Sequence, residues 1–177
     1  RVQTPGLSRA GILFSSPSQM VRCMRLSDRE MQTAYAFCGP ELGGWPRMLD
    51  SYAISKEKAS FEGLAVLIVP HGPYEHRAVY DAMVEFVEQG GLLVVLDPGA
   101  FQFDSRGEAF DRTALLGAEF VEIDPQRSID ATWPEELRLR VYDRACYKLV
   151  PSDSDEVIAT YDGGDAAAVL HALGEGH

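Results

Sequence analysis

The sequence lacks the features of a membrane-bound, secreted or nucleic-acid-binding protein. No apolar run reaches the about 20 residues that a transmembrane helix needs, and the N-terminus does not show the basic-then-apolar pattern of a signal peptide. No stretch is rich in lysine and arginine, and the formal net charge of −11 at pH 7 would repel a phosphate backbone. We therefore expect a soluble, cytoplasmic protein with neither a membrane nor a nucleic acid as a partner.

Cysteine is scarce. The three cysteines, Cys23, Cys38 and Cys146, are odd in number, widely spaced and absent from any C-x-x-C pair. This pattern predicts neither a disulfide framework nor a zinc site. We expect the cysteines to fill small apolar positions in or near regular elements, in a protein that holds no metal ion and no cofactor.

The chain is long enough to bury a core. It has 177 residues, of which 46% are hydrophobic and 24% charged, as is ordinary for globular proteins. We therefore predict one domain over residues 1–177. Because the chain begins with Arg1 instead of methionine and ends shortly after the Gly-Glu-Gly run at 174–176, we also expect it to be a piece of a longer, multidomain polypeptide.

Three short apolar runs predict buried parallel strands. They cover residues 10–14, 64–69 and 92–96, and each ends at a turn-forming segment. Residues 76–89 lie between the last two runs and place their apolar side chains on one helical face, before Gly90 ends the pattern. Strand, helix and strand thus follow within the length of one βαβ crossover, which is right-handed in nearly every known case.

Weaker patterns fill the rest of the chain. Helical spacing predicts helices at 27–38 and 108–116, and a broken helix followed by a short extended piece within 42–55. We predict a further strand of the parallel sheet at 119–123, and antiparallel strands appended at an edge at 137–142, 157–161 and 166–170. The predicted fold is α/β, a flavodoxin-like three-layer (αβα) sandwich with a mostly parallel sheet and antiparallel C-terminal strands.

The candidate site lies where the predicted parallel strands end. In open α/β sheets ligands bind outside the carboxyl ends of the strands, so polar residues and glycines just after each strand are expected to line a crevice. These residues are Ser15, Ser16, His71, Gly72, Asp97, Gly99 and Asp104.

An amidotransferase-like hydrolase is the first alternative function for this crevice. Ser15, His71 and Asp97 would then form the catalytic set. However, no G-x-S-x-G turn surrounds Ser15 or Ser16, and loops after different strands do not have to lie within hydrogen-bonding distance. The interpretation that we favour assigns no catalytic residue: the serines end a strand, and His71 is a loop residue.

A small-molecule binding domain is the second alternative, with a sugar or a flavin as the ligand. The segment 15–18 supplies hydroxyls but no glycine-rich phosphate loop, so flavin binding is only weakly indicated. Acidic pairs such as Glu135-Glu136, or Asp153 and Asp155, are more typical of solvated loops than of glycosidase carboxylates. We expect three aromatic side chains that could serve an interface to pack instead at the core or at an edge: Trp45, Tyr74 and Trp133.

The turn after the second central strand resembles a known catalytic position without its nucleophile. Class I glutamine amidotransferase-like proteins share this kind of sheet and carry a nucleophilic cysteine in a sharp turn after a central strand. The comparable turn here reads Asp97-Pro98-Gly99-Ala100 and has no thiol. An acyl-enzyme mechanism of that type therefore lacks its nucleophile.

The stretch from 61 to 95 resembles an accessory domain of a glycosidase family. It reads FEGLAVLIVP at 61–70, FVEQGG at 86–91 and LLVV at 92–95. A strand ending in proline, a helix ending in an "fV..GG" signature and a second strand are similar to the trimerisation domain of family 42 β-galactosidases. Looser similarity extends to 115–118, 157–162 and 174–176.

This resemblance implies a function in assembly. It suggests a non-catalytic domain of amidotransferase-like fold that holds subunits or neighbouring domains together in a carbohydrate-processing protein. Its partners would be further copies of the chain or other domains of the same polypeptide. The catalytic carboxylates of such β-galactosidases lie in a separate barrel domain, so no residue of this chain is assigned a glycosidase role.

Overall fold

The computed structural model of the protein describes residues 8–21, 27–36, 45–132, 135–141 and 146–177. The contacts divide the chain into two compact units, one comprising the described residues up to Phe110 together with Gly174–His177, and the other Asp111–Leu173. The prediction of one domain over 1–177 remains a prediction. Cys23, Cys38 and Trp133 lie outside the described residues. Of the helices in those ranges, none combines the length and apolarity that crossing a bilayer requires.

The first unit is built on a parallel sheet. Its elements in chain order are β1 (Ala10–Phe14), α1 (Ser16–Val21), α2 (Ser27–Ala36), β2 (Arg47–Asp50), α3 (Ser51–Ser55), β3 (Val66–Val69), β4 (Tyr74–Glu75), α4 (Arg77–Glu88), β5 (Leu92–Val95) and β6 (Phe103–Asp104). Four strands form the sheet in the order β2-β1-β3-β5 with all neighbours parallel, and β4 pairs in parallel with β6. The predicted parallel sheet is therefore confirmed.

The apolar runs supply the core of this unit. β1 and β3 are the inner strands of the sheet, and every residue of both strands is buried or half-buried. Side chains with no exposed area include those of Ile12, Leu13, Leu67 and Val69 on the strands and Val79 and Met83 on α4. The predicted amphipathic helix thus buries its apolar face.

The turn between α4 and β5 explains the two successive glycines. Gly90 has a φ of +97°, which side-chain-bearing residues rarely adopt. An added Cβ at Gly91 would collide with the ring of Phe86. The C-terminal residues pass beside this turn: the N–H of His177 donates to the oxygen of Gly91 at 3.2 Å, and the N–H of Leu93 donates to the oxygen of His177 at 2.8 Å.

The region before α3 differs from the prediction of a broken helix followed by an extended piece. Arg47–Asp50 is a strand parallel to β1, and the helix comes after it. Asp50 begins that helix because its carboxylate accepts the N–H of Tyr52 at 2.9 Å. A four-residue edge strand carries too short a pattern to be distinguished from a helical turn. Gly43 and Gly44, on which the prediction partly rested, lie outside the described residues.

The second unit is an antiparallel sheet. Its elements are α5 (Thr113–Leu116), β7 (Ala118–Ile123), β8 (Ser128–Ala131), β9 (Leu137–Arg140), β10 (Cys146–Pro151), β11 (Glu156–Tyr161) and β12 (Ala166–Leu170). The strand order is β7-β10-β12-β11-β8-β9, and every pair is antiparallel. Antiparallel C-terminal strands are thus confirmed.

Two finer predictions for this region are wrong. The antiparallel strands form a sheet of their own instead of an edge of the parallel sheet, and the segment at 119–123 belongs to them. β7 exposes Glu119, Val121 and Glu122, whereas a parallel inner strand buries both faces. The two glutamates within β7 were therefore the signal against an inner parallel strand.

Candidate functional site

The carboxyl ends of β3 and β5 bring two predicted residues together. His71 Nδ1 lies 2.8 Å from Asp97 Oδ2, and the carboxylate also accepts the N–H groups of Gly99 at 2.7 Å and Gly72 at 3.3 Å. Burial would raise the pKa of Asp97, but the hydrogen bonds from His71, Gly99 and Gly72 outweigh it and hold the pKa below its ordinary value. Asp97 therefore remains ionised and orients the His71 ring.

Ser15 is buried beside Gly72 but makes its hydrogen bonds elsewhere. Its hydroxyl lies 2.7 Å from the carbonyl oxygen of Tyr74 and 3.1 Å from Oγ of Ser18. Nε2 of His71 is buried and has no hydrogen-bond partner among the described residues. The histidine–aspartate half of the candidate catalytic set is thus formed, and no hydrogen bond joins Ser15 to His71.

Ser16 and Ser18 fasten α1 to two neighbouring segments. Ser16 donates its N–H to Ser51 Oγ at 3.0 Å, and the two hydroxyls are also 3.0 Å apart. Ser18 donates to the oxygen of Tyr74 at 2.7 Å and accepts the N–H of Tyr74 at 2.9 Å. These bonds connect the start of α1 with the start of α3 and with β4.

Glu75 is the polar residue of this region that sequence reasoning missed. Its side chain has no exposed area, and its Oε1 accepts the N–H of His76 at 2.7 Å. Burial raises its pKa to about 7, and the N–H of His76, followed by the hydroxyls of Ser15 and Ser51, offsets this only in part. We define the strand-end cluster as Ser15, Ser16, Ser18, Ser51 and Glu75. The one signal in the sequence was the position of Glu75, which comes shortly after the predicted strand at 64–69.

Asp104 makes its contacts away from His71 and Asp97. Its Oδ1 accepts the N–H groups of Arg106 at 2.8 Å and Glu108 at 2.9 Å, and its Oδ2 lies 4.0 Å from Arg77. These backbone donors, Glu108 first, hold the pKa of Asp104 below its ordinary value. Asp104 thus stabilises the turn that it begins.

The turn after β5 contains a strained residue. Phe101 has a φ of +56° and no exposed side-chain area, and its N–H donates to the oxygen of Gly72 at 2.7 Å. A bulky residue in this conformation is unfavourable unless its surroundings hold it. The ring of Phe101 packs against that of Tyr80 at 5.7 Å. The bend therefore places the Phe101 side chain in the core, next to Tyr80.

The other candidate residues are dispersed. Glu135, Glu136 and Asp153 are exposed, in agreement with solvated positions. The same expectation is wrong for Asp155, whose Oδ1 lies 2.6 Å from Nδ1 of His171. Trp45 is 63% exposed beside Tyr35, Tyr74 stacks on Phe103 at 5.5 Å, and Cys146 is buried and free.

An open groove of about 820 Å³ lies at the opposite end of the parallel sheet. Its lining includes Arg9, Ala65 and Gly91, which directly precede β1, β3 and β5, together with the rings of Phe61 and Phe86. These two rings pack against each other at 5.8 Å. No residue of the predicted crevice lines this groove.

Solved structures of glycosidases share this fold. A β-galactosidase from Bacillus circulans sp. alkalophilus matches with a TM-score of 0.73 and 13% identity, over 99% of this chain and 28% of that chain. A catalytic mutant of a GH42 β-galactosidase from G. stearothermophilus matches with a TM-score of 0.65 and 15% identity, over 98% of this chain and 27% of that chain. The protein thus spans little more than a quarter of these β-galactosidase chains.

The fold is also shared, more loosely, by a structure described as ThuA-like. A putative ThuA-like protein from Bacteroides uniformis matches with a TM-score of 0.56 and 16% identity, over 91% of this chain and 71% of that chain. No family model and no curated protein matches the sequence. At these identities the similarity establishes the fold and leaves the function to be argued from the chain itself.

Proposed function

We propose that this chain is a non-catalytic accessory domain of a larger carbohydrate-processing protein, in which it holds subunits or neighbouring domains together. One observation carries the proposal: the fold matches β-galactosidase structures over 98–99% of this chain but over only 27–28% of theirs. A fold that forms one part of a larger glycosidase in those proteins is suited to the same use here.

The residues at the strand ends support a role without catalysis. The turn from Asp97 to Ala100 carries no thiol, and the hydroxyl of Ser15 bonds to the oxygen of Tyr74 instead of to His71. We infer a flavodoxin-like, amidotransferase-like sandwich that retains the sheet and the bend of that superfamily without its nucleophile. We infer that residues 1–177 act as one functional domain.

Exposed apolar side chains favour a role in contacts with other chains or domains. Met20 and Val21 on α1 are 82% and 56% exposed, and Trp45 and Met48 are 63% and 50% exposed before and within β2. β2 is an edge of the parallel sheet. Apolar side chains at a sheet edge are typical of surfaces that other protein segments cover.

The test measures molar mass for the chain and for the polypeptide that contains it. Size-exclusion chromatography with light scattering is expected to show that the chain, or the longer polypeptide, forms a stable oligomer. Met48→Ser is expected to weaken the association of its subunits. Val150→Ser, at a residue that is 47% exposed in the second unit, is the matched control. Monomers in both cases, with no binding between the chain and the remaining domains, would show that the proposal is wrong.

The His71–Asp97 pair favours one alternative, a hydrolase that uses Ser15. The Ser15 hydroxyl would have to leave the carbonyl oxygen of Tyr74 before Nε2 of His71 could accept its proton. Hydrolysis of aryl esters and amides by the wild type, lost in both Ser15→Ala and His71→Gln, would support the enzyme. Absence of turnover, together with no labelling of Ser15 by a fluorophosphonate, would dismiss it.

A further inference from the structure

Glu75 lies at a junction of three chain segments. The hydroxyl of Ser15 beside it comes from the end of β1, and the hydroxyl of Ser51 comes from the start of α3. Glu75 itself belongs to the short strand β4. Its Oε2 is buried and has no hydrogen-bond partner in the described ranges.

Among the described residues, no cation acts on this carboxyl from β2 and α3. The charged group that acts on Glu75 from there is the carboxyl of Asp50, which repels a second negative charge. Burial, and then Lys56, lowers the pKa of His76, so the imidazole that follows Glu75 favours its neutral form. An ionised Glu75 would therefore face a like charge and a neutral ring.

In the part of the chain that the structure describes, the ionisable groups on the other neighbouring elements are already paired. Asp104 is opposite Glu75 in the β4–β6 pair and lies 4.0 Å from Arg77. His71, on the segment before β4, lies 2.8 Å from Asp97. Neither arrangement leaves a cation for Glu75.

The hydroxyl protons near Glu75 are also engaged. Ser15 and Ser18 each lie 2.7 Å from the carbonyl oxygen of Tyr74, which can only accept hydrogen bonds. Ser51 Oγ accepts the N–H of Ser16 and shares a proton with the Ser16 hydroxyl. A carboxylate requires donors, whereas a carboxylic acid supplies one and can use a serine oxygen as its acceptor.

We propose that Glu75 is a protonated acid in the folded protein and that its ionisation loosens the junction between β4 and the starts of α1 and α3. The device makes the carboxyl end of the sheet sensitive to pH. It does not depend on the proposed accessory function, since it requires only the strand-end cluster and Asp50.

The sign of the effect follows from the pKa. A folded-state value of about 7, above the ordinary value of 4.5, means that the folded chain binds the proton more tightly than the unfolded chain. The stabilisation of the fold by the protonated Glu75 side chain is complete below about pH 4.5 and is lost as the pH rises to about 7. Above that pH the folded protein carries a buried, uncompensated charge.

The test compares the whole chain with Glu75→Gln, because the amide has the shape of the protonated acid and does not titrate. Urea unfolding is measured from pH 4.5 to 8. Relative to the variant, the unfolding equilibrium constant of the wild type is expected to rise on the order of 100-fold across this range, so that the variant is the more stable protein at pH 8. Glu62→Gln, at an exposed glutamate of the same unit, is expected to show no such change.

Nuclear magnetic resonance titration of the Glu75 side-chain carbon gives a second readout that needs no variant. A midpoint near 7 supports the proposal. A midpoint near the ordinary glutamate value would mean that the hydroxyls and the N-termini of α1 and α3 hold Glu75 as a carboxylate, and would overturn it. A constant difference in stability between wild type and Glu75→Gln at all pH values would also overturn it.

Discussion

Nδ1 of His171 lies 2.6 Å from Oδ1 of Asp155, and this pair joins the turn before β11 to the residue that follows β12. The other oxygen of Asp155 accepts the N–H of Ser152 at 2.6 Å. Gly117 ends α5 with a φ of +70°, and an added Cβ there would collide with the His171 ring. The pair therefore connects the turn before β11 with the end of β12, and the His171 ring lies against the backbone of Gly117.

Asp155→Asn is expected to lower the free energy of unfolding by about 1–3 kcal/mol at pH 7, because it removes a charged acceptor from a largely buried pair. Burial raises the pKa of Asp155, but hydrogen bonds from His171 and Ser152 outweigh it, so the net pKa is lowered. The stabilisation is thus present above the ordinary aspartate pKa and is lost as the pH falls through the folded value. Urea unfolding between pH 3 and 7 measures it. Asp153→Asn, at an exposed neighbour, is the control, and equal losses in both variants would contradict the prediction.

Asp97→Asn is expected to destabilise the first unit by about 2–3 kcal/mol at pH 7, since the carboxylate bonds to His71, Gly72 and Gly99 and an amide cannot accept from all three. Because these bonds lower the pKa of Asp97 despite its burial, its contribution is also lost on acidification. Thermal unfolding monitored by circular dichroism tests this. Asp81→Asn, on the exposed face of α4, should change the midpoint little; if it shifts the midpoint as far as Asp97→Asn, the carboxylate bonds are not the cause.

Continuous apolar runs in the sequence predicted three strands of the parallel sheet correctly. The runs at 10–14, 64–69 and 92–96 contain β1, β3 and β5 of the parallel sheet, as continuous apolar runs predict. The same rule failed for β2, whose four residues lie at an edge and bury only Leu49 fully. The segment at 119–123 was also assigned to the parallel sheet, whereas β7 belongs to the antiparallel sheet.

For the candidate site, the sequence could predict only which residues follow the strands. Topology brought His71 and Asp97 together, since β3 and β5 are neighbours in the sheet. It could not show that Ser15 would bond to Tyr74, because that contact depends on a loop path between residues 59 positions apart. Glu75 was missed for the same reason: its burial comes from segments distant in sequence, which no local pattern records.

Gly91→Ala is expected to destabilise the protein by about 1–3 kcal/mol, because the new methyl group would overlap the ring of Phe86. Phe86 also packs on Phe61, so it cannot move away freely. Denaturant unfolding measures the loss. The matched control is Gly163→Ala, where the nearest atom is the Gln126 Oε1 at 3.6 Å and no loss is expected.

A double-mutant cycle identifies the cause of the Gly91 effect. In a Phe86→Leu background, Gly91→Ala should cost less than in the wild type, because the shorter side chain leaves room for the methyl group. Identical costs in the two backgrounds would show that backbone conformation, and not the contact with Phe86, makes glycine necessary at position 91.

Glu57→Gly is expected to stabilise the protein by about 0.5–1 kcal/mol. Glu57 has a φ of +56° directly after α3, where its N–H donates to the oxygen of Ile54 and the N–H of Lys58 donates to the oxygen of Ala53, both at 2.9 Å. Glycine adopts this helix-ending conformation without the clash that a Cβ causes, and the exposed Glu57 side chain contributes little packing. Urea unfolding of Glu57→Gly and Glu57→Ala separates the two effects. Because alanine keeps the Cβ in the same conformation, only the glycine variant should gain stability, and an equal gain in both would mean that removal of the charge is responsible.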